Sequence, residues 1–148
     1  MAPDRIKFRK PPIIITHSDL DRLWRLAESY SQRNPLVAEQ LLAELDRARV
    51  VDDRRIADTV VRMGSTLRFT TDAGDDRTVR LVYPGEANIT EGKVSILTPI
   101  GAALIGLSAG QSIDWRDLDG RTHRLTVESV GFVAPLPREQ ARLIPRMA

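Results

Sequence analysis

The side chains that could carry acid–base or metal chemistry are few and lie far apart in the sequence. His17 and His123 are the only histidines, and cysteine is absent. Neither histidine has a serine or aspartate placed so as to predict a nucleophile and its base, and no histidine–carboxylate set has the spacing of metal ligands. His123 alternates with hydrophobic positions, which is typical of a solvent-facing strand residue. The sequence therefore predicts no enzyme, no metal site and no cofactor.

Aspartates are the other candidates for acid–base chemistry. Asp75 and Asp76 lie in a predicted hairpin turn, where turn geometry alone favours aspartate. Further aspartates cluster at Asp52 and Asp53 and at Asp114, Asp117 and Asp119. Neither the Walker type nor the dinucleotide type of glycine-rich phosphate loop occurs. We therefore interpret the aspartates as turn residues and expect no small-molecule substrate.

The composition is typical of one soluble globular domain. The chain has 148 residues, of which 42% are hydrophobic and 28% are charged, and this length is enough for one good core. The first residues lack the apolar segment of a secretory signal, and the absence of cysteine is consistent with a reducing compartment. The expected location is the cytoplasm.

Basic residues are concentrated at both ends of the chain. Arginine and lysine outnumber acidic residues in residues 1–15 and again in residues 138–148. A basic tail can contact DNA, RNA or an acidic protein surface, although a solubilising chain end has the same composition. The aromatic residues, 5% of the chain, show no pattern for stacking on bases. Weak nucleic-acid contact by the tails is the most that we expect.

Residues 94–113 carry no charge, and a membrane-spanning helix needs roughly 20 apolar residues. Pro99 and several glycines interrupt this run, and hydroxyl and amide side chains dilute it, so that it does not resemble a span. We predict instead a strand, a short helix and a turn that leads into another strand. Thr98 can cap the helix, Pro99 suits its first position, and Gly106 can take a positive φ just past its end. No membrane contact is expected.

The elements that must position these residues begin with two helices. Residues 16–32 place hydrophobic side chains at helical spacing, and Thr16 or Ser18 can cap them. A second helix begins with Asn34 as its cap and Pro35 at its first position. Because only a few residues link the two helices, we expect antiparallel neighbours.

The rest of the chain alternates between strand and turn patterns. An Asp119–Gly120 pair between two alternating runs predicts a β-hairpin. We expect an antiparallel sheet of about five strands with one short helix packed on it. The predicted organisation is a basic arm (1–15), a helical hairpin (16–50), a connector (51–62), a sheet domain (63–134) and a basic tail (135–148).

Several segments, in this order, resemble one bacterial protein family. VRMGSTLRF, VRLVYPGEAN and GKVSILTPIGAALIGLSAGQSIDW, followed by a hairpin, are similar to the Gre-type transcript cleavage factors. LLAELDRARVV, LVYP and TPIGAALIGLSAGQSIDW look like the short-armed relatives of those factors, the regulators of nucleoside diphosphate kinase (Rnk). The resemblance covers roughly residues 13–133.

The resemblance implies an α+β fold, in which a short antiparallel coiled-coil hairpin precedes an FKBP-like antiparallel sheet with one short helix. It also implies a partner, because Gre factors dock the sheet domain at the rim of the RNA polymerase secondary channel and direct the coiled coil inward. Acidic residues at the coiled-coil tip then help to hold a catalytic Mg²⁺. Here the tip, at Ser31, Gln32, Arg33 and Asn34, has no acidic residue, and helices of about 14 residues reach only about 21 Å. We expect polymerase binding without stimulation of transcript cleavage.

The resemblance also maps a docking segment. The rim contact of Gre factors involves an Asp-Ser-Pro segment before the short helix, and Leu97, Thr98 and Pro99 stand at the matching positions. A capped helix start explains Thr98 and Pro99 equally well without a partner. We expect a non-enzymatic RNA polymerase-binding regulator that competes with Gre factors.

Two other functions remain open. An FKBP-like prolyl isomerase or chaperone would need an apolar cleft lined by aromatic residues, and this half of the chain offers only Phe69, Tyr83, Trp115 and Phe132, widely spaced. A direct regulator of nucleoside diphosphate kinase is suggested only by the name of the relatives. Trp24 and Trp115 are expected to be core or half-buried anchors rather than binding hot spots.

Overall fold

The computed structural model describes residues 10–131. The whole predicted basic tail and most of the predicted basic arm, with the nucleic-acid contact expected of them, lie outside the described residues. Within residues 10–131 the chain forms three α-helices and seven strands. The helices are α1 (His17–Ser29), α2 (Pro35–Arg47) and α3 (Pro99–Leu104). The strands are β1 (Ile14–Thr16), β2 (Arg49–Val51), β3 (Thr66–Thr71), β4 (Asp76–Val82), β5 (Lys93–Ser95), β6 (Ser112–Arg116) and β7 (Thr122–Val130).

The first two helices begin where the sequence predicts. The Oγ1 atom of Thr16 accepts a hydrogen bond from the backbone N–H of Asp19 at 3.2 Å and so caps α1. Pro35 is the first residue of α2, but the Asn34 side chain before it makes no capping hydrogen bond. The turn at residues 30–34 is all that separates the two helices, and they pack against each other.

A pair of parallel strands occupies the ends of the predicted arm and hairpin. We expected residues 16–50 to be helical, but Arg49–Val51 form β2, which pairs in parallel with β1 at Ile14–Thr16. The helix ends at Arg47, and Ala48 already has an extended backbone with ψ of 148°. The prediction carried the helical periodicity too far into residues whose β-branched side chains favour a strand.

The other strands form one sheet in the order β5-β4-β3-β7-β6. β3 pairs antiparallel with β4 and β7, and β6 pairs antiparallel with β7, whereas β4 and β5 are parallel. The prediction of a wholly antiparallel sheet is therefore wrong at this edge. The connection at residues 83–92 accounts for the difference, because it contains two 3₁₀ turns and ends in Gly92 at φ of 76°. These turns return the chain so that β5 runs in the direction of β4.

The short helix α3 connects opposite edges of this sheet. β5 before it and β6 after it are the two edge strands, so the strands on either side of the predicted helix are not neighbours. α3 packs against α2 and β6. Gly106, just past the end of the helix, has φ of 82°, as predicted.

The helices and the sheet share one hydrophobic core. A single cluster of buried side chains includes Ile13, Leu23 and Leu41 from the N-terminal half and Leu67, Phe69, Leu81, Ile96 and Leu104 from the C-terminal half. The helical pair is therefore joined to the sheet domain through buried side chains.

Candidate functional site

The chain enters α3 through a tightly hydrogen-bonded turn. The Thr98 hydroxyl accepts from the backbone N–H of Gly101 at 3.0 Å and donates to the carbonyl of Ser95 at 2.7 Å. The Ser95 hydroxyl accepts from the N–H of Leu97 at 2.9 Å. Pro99 fits the first position of the helix because the N–H that it lacks would have no partner there. These bonds hold the backbone of residues 95–101 in one arrangement.

The three predicted docking residues lie in different environments. Leu97 is only 7% exposed and belongs to the core cluster. Thr98 is half-buried, and its hydroxyl takes part in the turn. Pro99 is also half-buried, but it lines a surface cleft, and Ile100 beside it is half-buried as well. Of the three, Pro99 is the residue that opens onto a concave surface.

This cleft, which we call the α3 cleft, has a volume of about 260 Å³ and lies between α2, α3 and β6. Its lining residues are Lys10, Gln40, Glu44, Pro99, Ala102, Ala103 and Ile113–Arg116. The α3 side is apolar, whereas the α2 side is polar and charged. Sequence reasoning missed the contribution of α2, because no local pattern brings residues 40–44 next to residues 99–103.

Glu44 is the centre of the charged side of the α3 cleft. Its side chain is 4% exposed by residue area, and its carboxylate accepts hydrogen bonds from Lys10 Nζ and Arg47 Nε, each at 2.8 Å. Arg47 also donates to the carbonyl of Pro11 at 2.6 Å. The i, i+3 spacing of Glu44 and Arg47 is visible in the sequence, but the approach of Lys10 is not. The network binds the segment before β1 to α2.

His123 has a partner that the sequence analysis did not identify. Its Nε2 atom lies 2.8 Å from Oδ2 of Asp117, and its ring stacks on Trp115 with centroids 4.9 Å apart. Trp115 and His123 are direct partners in the β6–β7 hairpin, whose turn contains the predicted Asp119–Gly120 pair. His123 is therefore half-buried in a clasp across the hairpin. Counting outward from Asp119 and Gly120 as a two-residue turn would have paired Trp115 with Arg124, because the loop actually contains three residues, 118–120, between Asp117 and Arg121.

We expect this clasp to weaken in acid. The hydrogen bond with His123, helped by the backbone N–H of Arg121, holds the pKa of Asp117 below its ordinary value of 3.8. A carboxyl with a lowered folded-state pKa stabilises the fold above its ordinary pKa, and this contribution is lost as the pH falls through the folded value. Between about pH 5 and pH 2, Asp117→Asn should therefore lose less unfolding free energy than the wild type. Urea titrations at several pH values in this range measure the unfolding free energy of the wild type and of Asp117→Asn. If that free energy fell equally with pH in the two proteins, the role of the clasp would be contradicted.

Asp19, at the base of α1, shows the opposite shift. Burial raises its pKa above the ordinary value, and this outweighs the attraction of Arg62, whose Nε lies 3.8 Å from Oδ2. Ionisation of Asp19 therefore costs stability as the pH rises through its folded-state pKa, so it does not add to acid sensitivity. Nearby, the Ser18 hydroxyl donates to Asp53 Oδ2 at 2.5 Å. Together these contacts attach the start of α1 to the connector.

The predicted tip of the helical pair is polar. Ser31, Gln32 and Arg33 are exposed, and Asn34 is half-buried. The Arg33 guanidinium lies 5.1 Å from the centroid of the Tyr30 ring, in cation–π range. The tip residues do not line the α3 cleft. The structure thus keeps the two predicted contact regions apart.

The grouping of ligand-type side chains and the length of the helices bear on metal and membrane contact. Across residues 10–131, no three His, Cys, Asp or Glu side chains are grouped so that they could hold a metal ion. None of the helices in that range is long and apolar enough to cross a membrane. The uncharged run at residues 94–113 is divided between strands and α3.

The sequence matches two family models in succession. Residues 11–51 match the Rnk N-terminus, and residues 56–132 match the C-terminal family of transcription elongation factors GreA/GreB. The chain is 36% identical over 107 residues to the regulator of nucleoside diphosphate kinase of Escherichia coli, which covers 72% of this chain and 79% of that protein. It is 33% identical over 95 residues to transcription elongation factor GreA of Thermodesulfovibrio yellowstonii, covering 64% of this chain and 60% of that protein.

A solved structure supports the same relationship. The prokaryotic transcription elongation factor GreA/GreB from Nitrosomonas europaea is 39% identical, with a TM-score of 0.65, over 81% of this chain and 99% of that one. The resemblance identified in the sequence is thereby confirmed. The chain belongs to the GreA/GreB family of transcription elongation factors, and it carries the N-terminal region of the Rnk type.

Proposed function

We propose that this protein is a cytoplasmic, non-enzymatic regulator of transcription elongation that binds RNA polymerase at the rim of its secondary channel. The observation that carries the proposal is the family match over residues 56–132, which includes α3 and the turn before it. A protein that occupies this rim would compete there with Gre factors. The FKBP-like description of the sheet domain and the coiled-coil description of the helical pair belong to the same proposal.

The burial pattern indicates which residues would make the contact. Leu97 is in the core, so its role is to support the turn rather than to touch a partner. Pro99 and Ile100 keep part of their surface accessible, and the apolar wall of the α3 cleft continues from Pro99. We therefore place the docking surface on Pro99, Ile100 and the adjoining rim of the α3 cleft.

The tip supports binding without stimulation of transcript cleavage. A hard cation such as Mg²⁺ is held through oxygen ligands, above all carboxylates, and residues 30–34 contain neither aspartate nor glutamate. The 13 residues of α1 give an arm of about 20 Å. A short arm with a polar, carboxylate-free tip can occupy a channel entrance, but it cannot bring an acidic group to a distant metal.

The substitution Pro99→Asp tests the docking surface. An acidic residue suits the first turn of a helix, so the variant should fold, while its charge would oppose an apolar contact. We expect its affinity for core RNA polymerase to fall by about tenfold or more. Interferometry with immobilised polymerase measures this affinity, with GreA added as a competitor of the wild-type protein.

Ile89→Asp is the matched control, because Ile89 is 78% exposed and lies next to β5 at the opposite edge of the sheet from β6. It should bind like the wild type. Equal affinity of Pro99→Asp and wild type, or no displacement by GreA, would overturn the docking proposal. Stalled elongation complexes provide a second readout, in which GreA should accelerate transcript cleavage and this protein should not.

The two alternatives find less support in the described residues. Trp115 is the one aromatic residue that lines the α3 cleft, and Phe69 is fully buried, so the cleft does not resemble the aromatic pocket that a prolyl isomerase needs. Direct action on nucleoside diphosphate kinase is supported only by the name of a relative.

A further inference from the structure

A second concave surface lies on the outer side of the helical pair. This groove, of about 510 Å³, is formed by α1, α2 and β2. We call it the Trp24 groove, and its lining includes Leu20, Trp24, Leu45 and Val50. It shares no lining residue with the α3 cleft. The two surfaces are therefore lined by different residues.

Trp24 is unusually accessible for a residue of its type. It is 38% exposed, which corrects the expectation that it is a core or half-buried anchor. Its indole N–H donates to Oε2 of Glu28 at 3.2 Å, one helical turn further along α1. This bond fixes the orientation of the ring, so little side-chain entropy would be lost if a partner packed against it. Tryptophan is enriched among the residues that dominate binding energy in protein interfaces.

Acidic side chains surround this ring. Asp21 and Asp46 line the groove, and Glu28 holds the indole. Arg25 is the one basic residue of the lining, and its guanidinium lies 3.8 Å from Asp21. Within residues 10–131, Asp46 has no ion-pair partner. The groove thus combines an apolar floor and an aromatic face with a net negative rim.

We propose that the Trp24 groove is a second protein-binding surface, which takes a peptide segment with a lysine or arginine next to an apolar residue. The apolar side chain packs on Leu20 and Val50, the two half-buried apolar residues of the lining, where it leaves water. The cation lies over the indole face and close to Asp46, where the ring quadrupole and the carboxylate both attract it. The carboxylates oppose an acidic segment, so the groove selects by charge.

Selection from a random-peptide library displayed on phage tests this surface without assuming a sequence. The full-length protein is immobilised, and the selected peptides are synthesised and titrated by calorimetry. We expect peptides that carry a basic residue beside an apolar one. Trp24→Ala should weaken their binding by about tenfold or more, and Asp46→Lys should weaken it in a manner that added salt reduces.

Leu36→Ala is the matched control, because Leu36 is 62% exposed on α2 outside the groove. It should leave peptide affinity unchanged, and circular dichroism should show that all three variants keep their helices. Selected peptides that are acidic or uncharged would overturn the proposal. So would binding that Trp24→Ala leaves intact, or a selection that enriches no peptide at all.

Discussion

Replacement of Gly101 by alanine is expected to destabilise the protein by roughly 3 kcal/mol or more. Gly101 lies in α3, where its Cα faces the end of β5. A Cβ atom there would overlap the carbonyl oxygen of Ser95 and would stand only 2.9 Å from the Cα of Ile96. Both obstacles are backbone atoms of a turn that Thr98 holds in place, so no side-chain rotation can relieve the clash.

Urea unfolding followed by circular dichroism measures this effect. Gly85→Ala is the control, because Gly85 lies in the 3₁₀ turn at Pro84–Glu86, where its φ is not positive and a Cβ atom would meet nothing within 4 Å. That substitution should change the unfolding free energy by about 0.5 kcal/mol or less. If Gly101→Ala unfolded at the same urea concentration as the wild type, α3 would not pack as closely on β5 as the structure shows.

Glu44→Ala is expected to produce the second largest loss, about 2 kcal/mol. The substitution removes the carboxylate that accepts hydrogen bonds from both Lys10 and Arg47. Two positively charged side chains beside the α3 cleft then lose their shared anion. Removal of one partner from a fully buried ion pair costs roughly 3–5 kcal/mol. The Lys10 and Arg47 side chains here remain 35% and 26% exposed, so water compensates part of the loss.

The control for this substitution is Glu39→Ala, because Glu39 lies on the exposed face of the same helix. It should shift the urea midpoint only slightly, by about 0.5 kcal/mol or less in unfolding free energy. Glu44→Gln should fall between wild type and Glu44→Ala, since an amide oxygen can still accept one hydrogen bond. A loss for Glu44→Ala no larger than that for Glu39→Ala would mean that the network adds nothing to stability.

Features encoded by neighbouring residues could be predicted from the sequence. Thr98 and Pro99 marked the start of α3, and Gly106 marked its end, because caps and positive-φ positions depend on a few adjacent residues. The Asp119–Gly120 turn was found for the same reason. Family membership also followed from contiguous motifs, and the comparisons confirmed it.

Features that depend on distant residues were missed. The pairing of β1 with β2 joins residues 14–16 to residues 49–51. The β-branched valines favour a strand at the second segment, but no local pattern shows which distant segment it pairs with. The burial of Leu97 follows from the sheet and helices that surround it, whereas the sequence showed only its position in a motif. The exposure of Trp24 was missed because hydrophobic spacing predicts a buried face, but it does not show how far that face extends around the helix.

The shared core of the helical pair and the sheet has a mechanical consequence. Proteins with a long projecting arm can bend at the junction between arm and body, but here Leu23 and Leu41 of the helices belong to the same buried cluster as Leu67 and Leu104. Bending at that junction would expose apolar surface on both sides at once, and such exposure is strongly opposed. The tip is therefore carried as a fixed extension of the body, so the orientation in which the body docks also determines where the tip points. The same coupling predicts one cooperative unfolding transition instead of two.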